Sequence, residues 1–146
     1  MTPEERLREL GLTLPPPVQP IANFVGAVQS GRLLFLSGHV TDTTGKLGAD
    51  VATEDGYGAA REAALKLLGT AAGTLGELTR VRRIVKLLGM VNTAPDFTDH
   101  PLVINGASDL LVAVFADAGR HARSAVGFAS LPGNATVELE AVLEVD

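Results

Sequence analysis

Apolar residues recur along this chain with two periods, 3.6 and 2, and the switches between them mark the elements. The longest helical pattern predicts a helix over Thr53–Leu75, with Ala60, Ala64, Leu67, Leu68, Ala71 and Leu75 on its buried side. Thr53 is placed to cap it, and Glu54 and Asp55 favour the positive helix end. The small residues Gly69, Ala72, Gly73 and Gly76 allow this helix to pack closely on a sheet. A second helix is expected over Pro101–Ala118, ending near Gly119. Met1–Leu12 is expected to be a short helix, where Thr2 caps, Pro3 suits the first turn and Glu5 completes a capping box. Leu14-Pro15-Pro16-Pro17-Val18-Gln19-Pro20 then reads as a stiff extended connector, barred from a central sheet ladder because proline lacks the N–H.

Strand patterns fill the gaps. Asn23–Gln29 and Arg32–Ser37 are separated by the turn pair Ser30-Gly31. Leu33–Leu36 is apolar without alternation, so both faces of that strand are expected to be covered. Arg80–Asn92 places Val81, Val85, Leu87 and Val91 on one face. Its other face turns from Arg80 and Arg82 to Leu88 and Met90, as though another subunit covered the far end. The final strand, Ala135–Val145, alternates cleanly. With Ser124–Ser130 it is expected to form a closing hairpin around Leu131-Pro132-Gly133-Asn134. The order ββαβαββ predicts an α+β fold, a mixed sheet with two helices packed on one face and a short extra helix in front. The opposite sheet face needs cover that one domain cannot supply, which argues for an oligomer.

Composition narrows the picture. The 146 residues suffice for a single domain over 1–146, with 1–20 as the leading helix and connector. Cysteine is absent, which excludes disulfides, thiolate metal sites and a cysteine nucleophile. Met1–Leu12 is too charged for a secretory signal, and no apolar run is expected to reach the ~20 residues of a membrane span. A cytoplasmic protein is therefore expected. The net charge of −5 and 4% aromatic content speak against a nucleic-acid surface. Arg80, Arg82, Arg83 and Lys86 form the only basic cluster. No nucleotide-binding fingerprint occurs, and His39, His100 and His121 lack metal-ligand spacing, so neither cofactor nor metal is expected.

Arg123 is the candidate for chemistry. Ala125, Gly127 and Ala129 follow it on its own strand face, a run of small residues that predicts a hollow with a cationic fork at one end. A guanidinium matches a carboxylate with two parallel hydrogen bonds. If Ser130 opposes Ala135 across a four-residue loop, Arg123 shares a face with Glu138 and Glu140; a one-residue slip reverses this. On spacing alone, a solvated strand face with an idle surface ion pair accounts for these residues as well or better.

A set of segments taken together resembles the RidA/YjgF family. Ala122-Arg123-Ser124-Ala125-Val126-Gly127, then Leu131-Pro132, then Val137-Glu138-Leu139-Glu140-Ala141, is similar to its C-terminal signature. Leu36-Ser37-Gly38-His39 resembles its S-G-Q segment, and Phe24-Val25-Gly26-Ala27-Val28 its first-strand P-Y-S-Q-A-V. Asn105 falls where the family opens its second helix with an asparagine. The resemblance implies a chorismate-mutase-like homotrimer with clefts between subunits. It implies hydrolytic deamination of reactive enamine and imine acids, such as 2-aminoacrylate, to 2-keto acids and ammonia. In that reading Arg123 holds the substrate carboxylate, Glu138 positions water, and Phe24, Ser37, Gly38, Asn105 and Ala125 line the cleft. Phe24 replaces the family's tyrosine, His39 its glutamine, and Ala125 a frequent cysteine. The same cleft without catalysis, a small-carboxylate-binding trimer, is the alternative. A ribonuclease, the third reading, is opposed by the acidic charge.

Overall fold

A computed structural model describes residues 1–146. Helix α1 (Pro3–Glu9) opens with the expected capping box. The Glu5 amide donates to Thr2 Oγ1 at 3.1 Å, and the Thr2 amide donates to Glu5 Oε2 at 2.8 Å. Leu7 buries its side chain, and Glu4 Oε1 accepts from the Leu78 amide at 2.6 Å. The extension is therefore packed against the domain rather than trailing from it.

Strands β1 (Ala27–Ser30) and β2 (Leu33–Val40) form the first hairpin, turning at Gly31 with φ +61°. The first strand is shorter than its pattern implies. Residues 23–26 bend away from the ladder and are held instead by Ser37, whose amide donates to Gly26 O. Helix α2 (Thr53–Leu75) matches its predicted span. Its N-cap is Ala52 rather than Thr53, with no side-chain cap, because the helical turn already includes Thr53. It ends at Gly76, whose φ of +91° favours glycine. A short helical turn at Leu78–Arg80 replaces the expected start of β3, which spans Val81–Asn92. Helix α3 (His100–Phe115) unwinds into a tighter turn at Ala116–Gly119. Strands β4 (Ala122–Phe128) and β5 (Val137–Val145) complete the fold.

The sheet runs β1-β2-β5-β3-β4, with β3 and β4 parallel and every other pair antiparallel. This corrects the closing hairpin, because β4 and β5 are not neighbours. The chain leaves β4 at the sheet edge and inserts β5 between β2 and β3. Val137, Leu139, Ala141, Leu143 and Val145 are thereby buried at the centre of the core, which explains their unbroken apolar alternation. Two bulges in β3, around Arg82 and Val85, shift its register against β5. Ile84 therefore joins Val81 and Leu87 in the core where the period of two placed Val85.

Helices α2 and α3 cover one sheet face and share the core with it. They approach so closely that a Cβ on Gly106 would collide with the Tyr57 backbone. The stretch His100–Gly119 reaches 20 residues with mean hydropathy 1.5, contrary to the expectation that no apolar run would be long enough to span a membrane. Half of it is buried inside the domain, so its apolar character is accounted for by the core.

The other sheet face is open to solvent. Leu34 and Leu36 point to the helices and are buried, while Leu33 and Phe35 point outward and stay 38% and 45% exposed, so β2 is covered on one face only. Val28, Val126 and Phe128 add to this exposed apolar surface. A recess of ≈ 650 Å³ lies on it, lined among others by Phe35, Lys86, Leu88, Ser124, Glu140 and Val142.

Candidate functional site

The structure sorts the candidate residues into two groups on opposite faces of the sheet. The first gathers at the end of β2. Pairing with β5 slips between Leu36 and His39, so Ser37 and Gly38 form a bulge. Glu138 of β5 lies opposite Val40 and folds its carboxylate over Gly38. A Cβ on Gly38 would collide with that carboxylate, so only glycine lets the two approach. Ser37 Oγ donates to the Val25 carbonyl at 2.6 Å, which holds the bent segment and the half-exposed Phe24 beside the bulge. Phe24, Ser37 and Gly38 line a recess of ≈ 240 Å³ with Val18, Pro20 and Lys66.

Burial raises the Glu138 carboxyl above the usual glutamate range, and the neighbouring Glu140 carboxylate adds to the effect. A carboxylate so placed holds its proton more readily and is a stronger base once ionised. Behind the bulge, His39 is buried. Burial holds its imidazole below the usual histidine range; the hydrogen bond to Ser37 O opposes this, and the Lys66 ammonium reinforces it. The ring is therefore neutral. Nδ1 donates to Ser37 O at 2.6 Å, and Nε2 accepts from the Thr70 hydroxyl at 2.7 Å. Thr70 Oγ1 in turn accepts from the Val18 amide at 3.2 Å. His39 thus braces the bulge from beneath and ties it to helix α2 and the connector.

The second group surrounds Arg123. In the β3–β4 ladder Arg123 pairs with Leu87, and Leu87 pairs with Ala141. Arg123 therefore points to the helix side, whereas Glu138, paired with Met90, points to the open side. Arg123 does not share a face with Glu138 and Glu140, because the expected register required β4 and β5 to be adjacent. Nor do the small residues after Arg123 leave a hollow. Ala125 packs against the core, and a Cβ on Gly127 would strike His100 and Thr93. Gly127 is small because His100, at the start of α3, crosses close above it.

Arg123 Nη1 donates to Ser108 Oγ at 3.0 Å and Nη2 to the Pro101 carbonyl at 3.3 Å. Pro101, Asn105 and Ser108 fall at i, i+4 and i+7, one stripe of α3. Asn105 consequently sits on the helix face that holds the guanidinium. His121, which spacing left unassigned, is the unforeseen member, with Nε2 2.8 Å from Ser108 Oγ and Nδ1 2.6 Å from Gly119 O. Ser108 gave no signal in the sequence, since the contact forms only when α3 and β4 pack together.

Residues 4–143 match the family model described as "YjgF/chorismate mutase-like, putative endoribonuclease". TCP17 of Trypanosoma cruzi is 44% identical over 147 residues, spanning 96% of this chain and 92% of that protein. Atu1372 of Agrobacterium tumefaciens, whose function is unknown, superposes with a TM-score of 0.92 at 44% identity, over 99% of this chain and 92% of its own. A Shewanella oneidensis structure superposes with a TM-score of 0.96 at 33% identity, over 99% and 100%. The matched model covers both residue groups and every element of the sheet, and the chain therefore belongs to the YjgF/chorismate mutase-like family.

Proposed function

We propose that the protein hydrolyses reactive enamine and imine acids to 2-keto acids and ammonia, in clefts between the subunits of a homotrimer. The observation that carries this reading is the division of the candidate site. Arg123 stands on the edge strand β4, and Glu138 with Ser37, Gly38 and Phe24 lies by the open sheet face. Each half borders a surface that the single subunit leaves open, so one subunit's Arg123 and another's Glu138 can complete a cleft. Packing Val28, Phe35, Val126 and Phe128 between subunits supplies the apolar burial that association requires.

In this cleft the substrate carboxylate rests on Arg123, which fixes the C=N carbon relative to Glu138. An enamine first takes a proton from solvent at its β-carbon to become the iminium; Glu138 then takes a proton from water as the oxygen adds to the iminium carbon, giving a carbinolamine. Glu138 returns that proton to the carbinolamine nitrogen, the C–N bond breaks, and ammonia leaves as the hydroxyl gives its proton back to Glu138 and the C=O bond forms. One water is consumed, and the electrons stay within the substrate. Phe24 and Ala125 offer no polar group to the substrate, which favours the second reading, a trimer that binds small carboxylates without turnover. The net charge of −5 counts against RNA as the substrate, with Arg80, Arg82, Arg83 and Lys86 the one basic cluster in the sequence.

The deciding experiment generates 2-aminoacrylate in situ and follows keto acid and ammonia with and without the protein. Faster release supports the enzyme. Binding of the keto acid without acceleration supports the second reading. Light scattering on the same sample should give three times 15.1 kDa.

A further inference from the structure

We propose that Ser108 and His121 are positioning residues that hold the Arg123 guanidinium open for a carboxylate. The inference rests on the reading of Arg123 as the carboxylate anchor and adds what orients it.

The hydrogen bonds form one chain, from Arg123 through Ser108 and His121 to Gly119 O. Gly119 O only accepts, so Nδ1 of His121 carries a proton, and in the tautomer that leaves Nε2 bare the ring presents a lone pair there. The Ser108 hydroxyl then donates to Nε2. Its lone pairs are left facing Arg123, whose Nη1 donates to them. Without His121, a helical serine readily returns its hydroxyl proton to a carbonyl of the preceding turn. The start of the chain is itself fixed, because a Cβ on Gly119 would collide with the Leu111 carbonyl, so the turn sits tight beneath the end of α3.

The count of donors gives the consequence. A guanidinium has five N–H groups. Ser108 takes one from Nη1 and Pro101 O one from Nη2, so three remain, enough for a two-pronged grip on a carboxylate. The arrangement holds a long, flexible side chain in place before the ligand arrives, which lowers the entropy cost of binding.

The test measures binding of 2-oxobutyrate, a plain 2-keto acid, by calorimetry, together with kcat and KM for deamination. Ser108→Ala should weaken 2-oxobutyrate binding and raise KM by about tenfold, the effect of one hydrogen bond to a charged group, with kcat nearly unchanged. Ser108→Thr, which keeps the hydroxyl, should restore most of the loss. His121→Phe should shift KM in the same direction by less, because the serine oxygen remains. A purely structural role predicts instead a lower melting temperature, unaltered KM in the folded fraction and no separation between alanine and threonine. If Arg123→Ala abolishes binding while Ser108→Ala and His121→Phe bind like the wild type, the positioning proposal falls and the anchor stands. If Arg123→Ala itself binds 2-oxobutyrate like the wild type, or the wild type does not bind it, the anchor falls and takes the positioning proposal with it.

Discussion

Glu138→Gln changes one atom's chemistry and almost nothing in shape. The wild-type carboxylate lies half-buried over Gly38, and burial and the Glu140 charge both raise its pKa above the ordinary 4.5. If Glu138 takes the proton from water, kcat should fall by about 10²–10⁴-fold in the glutamine variant, the usual contribution of a positioned base. KM should hold, since Arg123 stands elsewhere. The pH profile gives a second reading of the same group. Wild-type kcat should rise with pH along an acid limb centred above 4.5, because only the ionised carboxylate is a base. Glu140→Gln removes a like charge, lowers the Glu138 pKa and should move that limb to lower pH. Stability moves in the opposite sense to activity. A glutamate whose folded pKa exceeds its unfolded one makes the folded state bind more protons. Its stabilising contribution is full below 4.5 and is lost as pH rises through the raised value. Melting curves of Glu138→Gln against the wild type should therefore show the variant gaining relative stability across that window. Unchanged kcat at every pH, measured as keto acid released from 2-aminoacrylate, would falsify the assignment of Glu138 as the base.

Arg123→Ala should lower deamination efficiency roughly ten- to hundredfold, from the loss of a charge-assisted bond of about 1.5–3 kcal/mol, and lysine should rescue it only in part because it lacks the planar fork. Circular dichroism and sedimentation on the same preparation separate this from unfolding; a fully active trimeric Arg123→Ala would refute the anchor. Phe24 presents a phenyl ring without a hydroxyl beside the bulge, so imines derived from leucine should react faster than those from serine, and the reverse order would contradict an apolar subsite there. Replacing the exposed Phe35 by Lys should dissociate the proposed trimer while leaving the monomer folded, because the side chain points away from the core. Sedimentation velocity with circular dichroism decides it, and an unperturbed trimer would show that this face is not the interface.

Local chemistry made much of the fold legible. The α1 capping box and the end of α2 at Gly76 follow from neighbouring residues alone, as does the buried face of β5, whereas Thr53 does not cap α2. What was hidden depends on partners distant in sequence. Ser124–Ser130 and Ala135–Val145 looked like a hairpin because a turn-forming run joins them, yet β5 docks between β2 and β3. That single difference moved Arg123 to the opposite face from Glu138. The bulges of β3 exchanged Val85 for Ile84, since an extra residue reverses the alternation beyond it. Ser37, Gly38 and Phe24 are marked only by the resemblance and meet Glu138 through the β2 bulge, whereas Ser108 and His121 meet Arg123 only through the packing of α3 on the sheet.

The connector between α1 and β1 is a rod fastened at both ends. One end is held where Leu7 and Glu4 meet the domain. The other lies across α2, where Gly69 and Gly73, one helical turn apart, make room for the Pro15 backbone and the Pro17 ring. Prolines leave such a segment little freedom to lose on docking. Each fastening also keeps the other at high effective concentration, so a brief release at one end is followed by recapture rather than departure. Beyond Pro17 the same rod delivers the Val18 amide to Thr70, and through His39 to the carbonyl of Ser37. Trimming the first residues would thus act as cutting one moor of a two-moored strap. The loss would be felt as increased opening at the Ser37–Gly38 bulge, far along the sequence from the cut.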